Sequence, residues 1–365
     1  FAFSQGWVTV RSATIIEVQT DSGLVGWGEA FSQGLESPQV AASAIEHSLK
    51  PMLLGQNPTD TEVLWNKMYN QTRDFGRKGS VMAAISGVDI ALWDIAGKFY
   101  DVPVSQLLGG RFRDVVQPYA TGFYRLTGRN EGQRLAGEAI AHEEAGFRSM
   151  KIKLGFGVDD DVRVMGHIRE AIDGRGVELM VDTNHAYGRT EALRLGRVLD
   201  EFDLRWYEEP VPPEDIDGYV ELRKKLATPI AGGENEHSMY GFCDLINRRA
   251  VDIVQPDIGS CGGITGAKHV AVLAQANGVE INPHVWGSGI AQAASLQVIA
   301  ALPNTVHSLY PRQPILEYDR SSHPFRNELV DRALTLNKES MVDIPKSSGL
   351  GIEVNQNAII KYRVN

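Results

Sequence analysis

Cysteine is nearly absent: the 365 residues hold two, Cys243 and Cys261. Two thiols build neither a disulfide framework nor a cysteine zinc cluster, and a reducing cytoplasm is the expected location. No run of about 18 apolar residues occurs, so no membrane span is expected. Basic residues are outnumbered, 36 Lys and Arg against 46 Asp and Glu, for a net charge of −10. Neither nucleic acid nor an anionic membrane is therefore expected as a partner. Low-complexity stretches and long linkers are missing too, which implies tightly packed domains. What remains, 43% hydrophobic and 22% charged, is ordinary globular composition, and the length suits one large barrel plus a smaller domain. The opening FAFSQGW reads as the interior of a longer sequence, so any targeting segment would precede it.

Three acidic residues recur at intervals of 26: Asp182 in LMVDTNH, Glu208 in RWYEEP and Glu234 in IAGGEN. Each follows a short apolar run that reads as a buried strand. One strand plus one helix of a (β/α)8 barrel takes about 30 residues, and every parallel strand ends at the same rim. Carboxylates on three consecutive strand ends would meet in space, a ligand set for a hard divalent cation such as Mg²⁺. Helix caps or salt-bridge partners are the alternative reading of any one of them. Glu209 competes with Glu208, because alternation lets only one of the two face the lumen. Asn184 and His185 follow closely enough to line the site.

Before residue 113 the pattern is an antiparallel pair across the turn Thr20-Asp21-Ser22-Gly23, then helices over 38–53, 59–69 and 80–100. That predicts an N-terminal α+β cap, residues 1–113. A barrel is expected over 114–318, with strands starting near Val115, Arg148, Val177, Leu204, Pro229, Val251, Val279 and Thr305. Amphipathic stretches lie between them. No glycine-rich dinucleotide turn follows the first strand, which counts against a doubly wound sheet. Residues 319–365 return to the cap, with 349–354 a candidate strand.

Lys151 and Lys153 end the strand before Asp182, and period 2 points both inward. Two neighbouring ammonium groups disfavour each other's charge, so a pKa lowered toward the operating pH is expected, making a base. A solvated surface pair is the bland alternative. Asp257 ends VDIVQPD and His284 ends VEINPH, a carboxylate–imidazole dyad across the mouth from the lysines. Glu317, in PILEYD, would donate a hydrogen bond to substrate if neutral. Arg73, Arg77 and Lys78 form either a contact for a distal carboxylate or a solvated basic turn. Trp286 is a further candidate substrate contact. A cation flanked by two bases suits removal of a proton α to a carboxylate, the negative charge of the enediolate being stabilised electrostatically.

Lys151-x-Lys153, Asp182-x-Asn184, Glu208-Glu209-Pro210, Gly232-Gly233-Glu234, Gln255-Pro256-Asp257, Pro283-His284 and SGVDIALWDIAGK together resemble the enolase superfamily, mandelate racemase subgroup, over essentially the whole chain. The resemblance implies a (β/α)7β modified TIM barrel capped by both chain ends. It also implies one Mg²⁺ held by Asp182, Glu208 and Glu234, with Glu208 rather than Glu209 as ligand. Lys153 and His284 become opposed bases, Asp257 supports His284, and Glu317 polarises the substrate. EEPVPPED, AGGENEH, SCGGI and PHVWGSG are similar to galactarolactone cycloisomerases and acid-sugar dehydratases. The implied activity is a lyase acting on a sugar acid or its lactone, or alternatively a racemase or epimerase. The implied partners are that small molecule and further copies of the chain. Glu236 departs from the cycloisomerase pattern, where an aromatic residue is expected. Cap loops 3–7, 31–37 and 73–78 are expected to set specificity.

Overall fold

The computed structural model describes residues 1–331 and 334–364. Strands β1 Pro118–Thr121, β2 Ser149–Lys153, β3 Glu178–Asp182, β4 Tyr207–Glu208, β5 Ile230–Gly232, β6 Ile253–Val254, β7 Glu280–Ile281 and β8 Leu316–Asp319 form one sheet. Its order is β7-β6-β5-β4-β3-β2-β1-β8, parallel throughout. Seven helices alternate with the strands: α1 Gly132–Glu144, α2 Val158–Ala171, α3 Arg189–Leu199, α4 Ile216–Lys225, α5 Ser238–Asn247, α6 Gly263–Asn277 and α7 Gly289–Ala301. This is the expected (β/α)7β order. The seam between β7 and β8 is joined through a side chain, Ile315 N–H donating to Asn282 Oδ1 at 2.8 Å. Tyr119, Met180, Trp206, Ala231, Ile253 and Ile315 fill the interior as an apolar plug. Met180 and Trp206 each stand two residues before a rim carboxylate, so period 2 puts the plug one layer beneath it.

Three boundaries differ from the expectation. Val115–Val116 pairs antiparallel with Val342–Asp343, and the first parallel strand starts at Pro118, a place where a missing N–H is tolerated. The eighth strand begins at Leu316 rather than near Thr305. Pro303, Pro311 and Pro314 deprive the intervening segment of ladder donors. Residues 349–354 make only isolated bridges, Pro103 to Gly349 and Val330 to Val354, since Gly349 and Gly351 take φ of 70° and 77° and break the extension.

In the cap, Thr14–Gln19 pairs antiparallel with Val25–Ala30, and the helix Ser80–Phe99 lies across them. A Cβ on Gly28 would stand 1.9 Å from the carbonyl oxygen of Gly87, so only glycine permits that approach. This helix is long and apolar enough to cross a bilayer, with mean hydropathy 1.4, yet 89% of that stretch is buried in the fold. It is a core helix, and the expectation that no segment would pass that test is corrected to that extent. Two cap carboxylates seat on barrel helices. Glu29 accepts from the N–H of Ser288 at 2.8 Å and of Ala291 at 3.1 Å, at the start of α7. Asp89 accepts from the N–H of Thr265 at 2.9 Å and its Oγ1 at 2.6 Å, at the start of α6. Helix N-termini expose free N–H groups and favour anions. The starts of barrel helices lie at the strands' C-terminal rim, so these contacts hold the cap over the mouth.

Candidate active site

The ends of β3, β4 and β5 bring Asp182, Glu208 and Glu234 together. One carboxylate oxygen from each lies within 4.8 Å of the others, and all three residues are buried. Glu208 points inward: it accepts from Lys151 Nζ at 2.7 Å, Trp206 Nε1 at 2.8 Å and Gln255 Nε2 at 2.7 Å. Glu209 takes φ of 46°, a left-handed turn that ends the alternation and swings its side chain to Asn235 Nδ2 at 2.7 Å. The oxygen Oε2 of Glu234 is buried without a hydrogen bond, although His284 Nε2 lies 3.3 Å away. Three converging hard-oxygen donors, one of them unsatisfied, fit a divalent cation.

Lys151 is wholly buried, its Nζ 2.7 Å from Glu208, 2.9 Å from Glu317 and 3.8 Å from Asp182. Lys153 Nζ bonds Asp182 Oδ2 and, at 3.0 Å, Asn184 Oδ1. Burial by itself depresses both lysines, but Glu208 and Glu317 outweigh it at Lys151 and Asp182 does so at Lys153, so both are held above the usual lysine value. The expected lowering by lysine–lysine repulsion is thus overturned among the protein groups alone, because carboxylates from other strands stand closer. A cation on those carboxylates acts in the opposite sense. Glu317 is likewise not kept neutral. Burial pushes it up, yet Lys151 and His284 prevail and hold it low, as an ionised partner.

His284 Nδ1 lies 2.7 Å from Asp257 Oδ2, and Gly259 N–H fixes the other oxygen of Asp257 at 2.7 Å. Burial lowers His284, and Glu234, Glu317 and Asp257 raise it, to about 10. Lys153, Asn184, Glu234 and His284 line one cavity together with Phe3, Phe31, Gln33, Tyr124 and Trp286. Asn184 and Trp286 are therefore gathered in as expected. His185 is not among the lining; its N–H bonds the carbonyl of Glu209 at 2.8 Å. Arg73 stands apart, with Arg77 and Lys78, along a separate groove of about 770 Å³ beside Tyr69 and Tyr240. Glu236 is buried and forms an ion pair with the exposed Lys78.

Sequence reasoning missed Trp206 and Gln255, which fix Glu208, and Tyr124 at the mouth. The signal for the first two was period 2: Trp206, just before β4, stands two residues from Glu208, and Gln255, just after β6, two from Asp257. Tyr124 follows its strand in an irregular loop and gave none.

A parallel barrel with an acidic, cation-suited rim site between a lysine and an imidazole defines a class of enzyme that works at the mouth of the barrel. The chain belongs to the enolase superfamily. Residues 134–358 match the family described as enolase C-terminal domain-like, and residues 1–109 match the mandelate racemase / muconate lactonizing enzyme N-terminal domain. It is 42% identical over 354 residues to D-galactarolactone cycloisomerase of Agrobacterium fabrum, covering 97% of this chain and 92% of that one. It is 34% identical over 349 residues to arabinonate dehydratase of Saccharolobus solfataricus, at 95% and 89% coverage. The crystal structure of 3,6-anhydro-D-galactonate cycloisomerase from Zobellia galactanivorans superposes with a TM-score of 0.88 at 39% identity, covering 97% and 95%.

Proposed function

We propose that the protein is a Mg²⁺-dependent lyase that removes the proton α to the carboxylate of a sugar acid or its lactone and expels a β-oxygen, as a dehydratase or cycloisomerase. The observation that carries this reading is the buried carboxylate triad sharing one cavity with Lys153 and His284. Asp182, Glu208 and Glu234 would hold the ion, which supplies positive charge beside the substrate carboxylate. Asp257 holds the His284 ring by Nδ1 and leaves Nε2 facing the cavity. Lys153 Nζ approaches from the other strand, steadied by Asn184. One of these two takes the α proton. The C–H electron pair becomes a carbon–carbon double bond as the β C–O bond breaks, and the departing oxygen takes a proton from the opposite group. The enol product then rearranges to a 2-keto-3-deoxy acid. Water is excluded by the aromatic side of the cavity, which strengthens every charge inside it. Relatives named for dehydration and for cycloisomerisation support this chemistry.

Two bases in one cavity also suit a racemase or epimerase, in which the second returns the proton to the other face. Incubation of sugar acids and lactones in D₂O separates the readings. A 2-keto-3-deoxy product supports elimination, whereas α-deuterated substrate or its epimer without keto product supports racemisation. Activity abolished by EDTA and restored by Mg²⁺ is the expected accompaniment, and full activity in EDTA would overturn the proposal.

A further inference from the structure

We infer that the substrate carries a single carboxylate and an uncharged far end, such as a lactone, an anhydro ring or a terminal hydroxyl, and that open-chain dicarboxylates are rejected. This rests on the proposed α-proton chemistry and narrows it to a substrate class. The cavity has two unlike walls. One is the charged set already described. The other is Phe3, Phe31, Tyr124 and Trp286 with the amide of Gln33; the four rings belong to one apolar cluster. Trp286 Nε1–H donates to the Tyr124 hydroxyl at 2.6 Å and Arg11 covers one face of the ring, so the indole spends its polar tip on a neighbour and has apolar ring carbon to offer the cavity. Rings of that kind suit the C–H faces of a sugar ring and solvate a carboxylate poorly.

Lys153 and His284 are the lining residues described that carry positive charge, and both are engaged by the charged wall: Lys153 by Asp182 and Asn184, and His284 by Asp257, with Glu234 3.3 Å from its other nitrogen. Arg11 lies with its guanidinium 3.4 Å over the Trp286 ring. Its N–H groups are occupied by Asp319 at 2.9 Å, Ser321 at 2.8 Å and the Trp286 carbonyl at 2.6 Å. Arg326 donates to the same Asp319 at 2.9 Å. At the rim, the backbone N–H of Gln33 donates to Glu36 Oε1 at 2.7 Å, and the Tyr124 hydroxyl already accepts from Trp286. A second substrate carboxylate on this side would meet aromatic rings and no free cation among the lining residues described. Arg73, Arg77 and Lys78, the cations that would answer it, line a different groove.

The test compares kcat/KM for aldonates, aldonolactones and aldaric monolactones with that for open-chain aldarates of matching configuration, each assayed for α-proton exchange in D₂O and for keto product. Turnover of the mono-anions at least about 100-fold above the aldarates is expected, since a charge without a partner is strongly discriminated against. Aldarates turned over as well as the best mono-anion would overturn the inference while leaving the proposed chemistry standing. No exchange with any acid would overturn the chemistry and the inference together. Gln33→Arg supplies the missing charge, and should shift the aldarate to mono-anion ratio of kcat/KM toward aldarates by about tenfold or more. An unchanged ratio would show that the substrate's far end does not meet this wall.

Discussion

Lys153 and His284 reach one cavity from β2 and from the end of β7, and each is expected to be indispensable for a different proton transfer. Lys153→Ala and His284→Ala should each lower turnover by about 10³-fold, within the range for removing a general acid or base. Mg²⁺ affinity, measured by calorimetry, should survive in both. Full activity in both variants would remove the mechanism. Asp182→Asn should weaken Mg²⁺ binding by at least about tenfold, read by the same titration; even partners of ligands are worth that much. The rim carboxylates, Lys153 and His284 were legible in the sequence because each ends an apolar run on a common period. The choice between Glu208 and Glu209 was not legible from alternation, since the left-handed turn at Glu209 that settles which one faces inward has no marker in the residues around it. The lysine pKa direction was also illegible, because the groups that decide it, Glu208, Glu317 and Asp182, lie on other strands.

Among the elements, α6 and α7 carry the cap. Asp89, at the start of α6, is pushed up to about 7 by burial, against the hydrogen bonds from Thr265 and with Glu62 adding to the rise. In the unfolded chain it ionises near pH 4. Between about pH 4 and 7 the folded protein therefore holds a proton that the unfolded chain has lost. The stability contributed by this group is complete below the lower value and lost as pH rises through the upper one, at about 1.4 kcal/mol per pH unit. Asp89→Asn keeps an acceptor for Thr265 and removes the titration. The Tm of the variant relative to wild type should climb from pH 5 to pH 7 and level off beyond, and a constant difference across that interval would refute the account. The segment of α7 was harder to read as a helix than the others. Every residue from Gly289 to Ala300 is buried, so it has no polar stripe to betray its period. The eighth strand was misplaced for a related reason, a proline-punctuated loop carrying enough Val, Leu and Tyr to resemble one.

For the molecule as a whole, the mouth is nearly shut. The hairpin of Ala2–Phe3 and Gly6–Trp7 lies over it, Ser4 Oγ bonding the Thr183 carbonyl at 2.8 Å and Gln5 Nε2 the Asn184 carbonyl at 2.7 Å. Only about 20 Å³ of free space is left beside Lys153 and His284, room for about one water. The proposed sugar acid does not fit in that space, so its entry requires part of this covering to move, and the hairpin is the segment whose motion amide exchange can read. Amide exchange should be faster at Ala2 and Arg125, which bond each other across the hairpin's edge, than along the six-residue pairing of Thr14–Gln19. A bound acid should slow it; equal protection in the free protein would show the hairpin to be fixed. The barrel and its acidic rim could be anticipated from periodicity, whereas this closure could not, because it depends on loops whose paths are set by packing.

The single ammonium of Lys151 ties the second strand to the fourth through Glu208 and to the eighth through Glu317, close to where the sheet lacks a ladder of its own. That one buried charge is thus a rivet in the wall that houses the carboxylate triad. Novelty in such a protein has two unequal outlets: the aromatic side can be repainted one residue at a time, while any alteration of the floor loosens the vessel along with its contents.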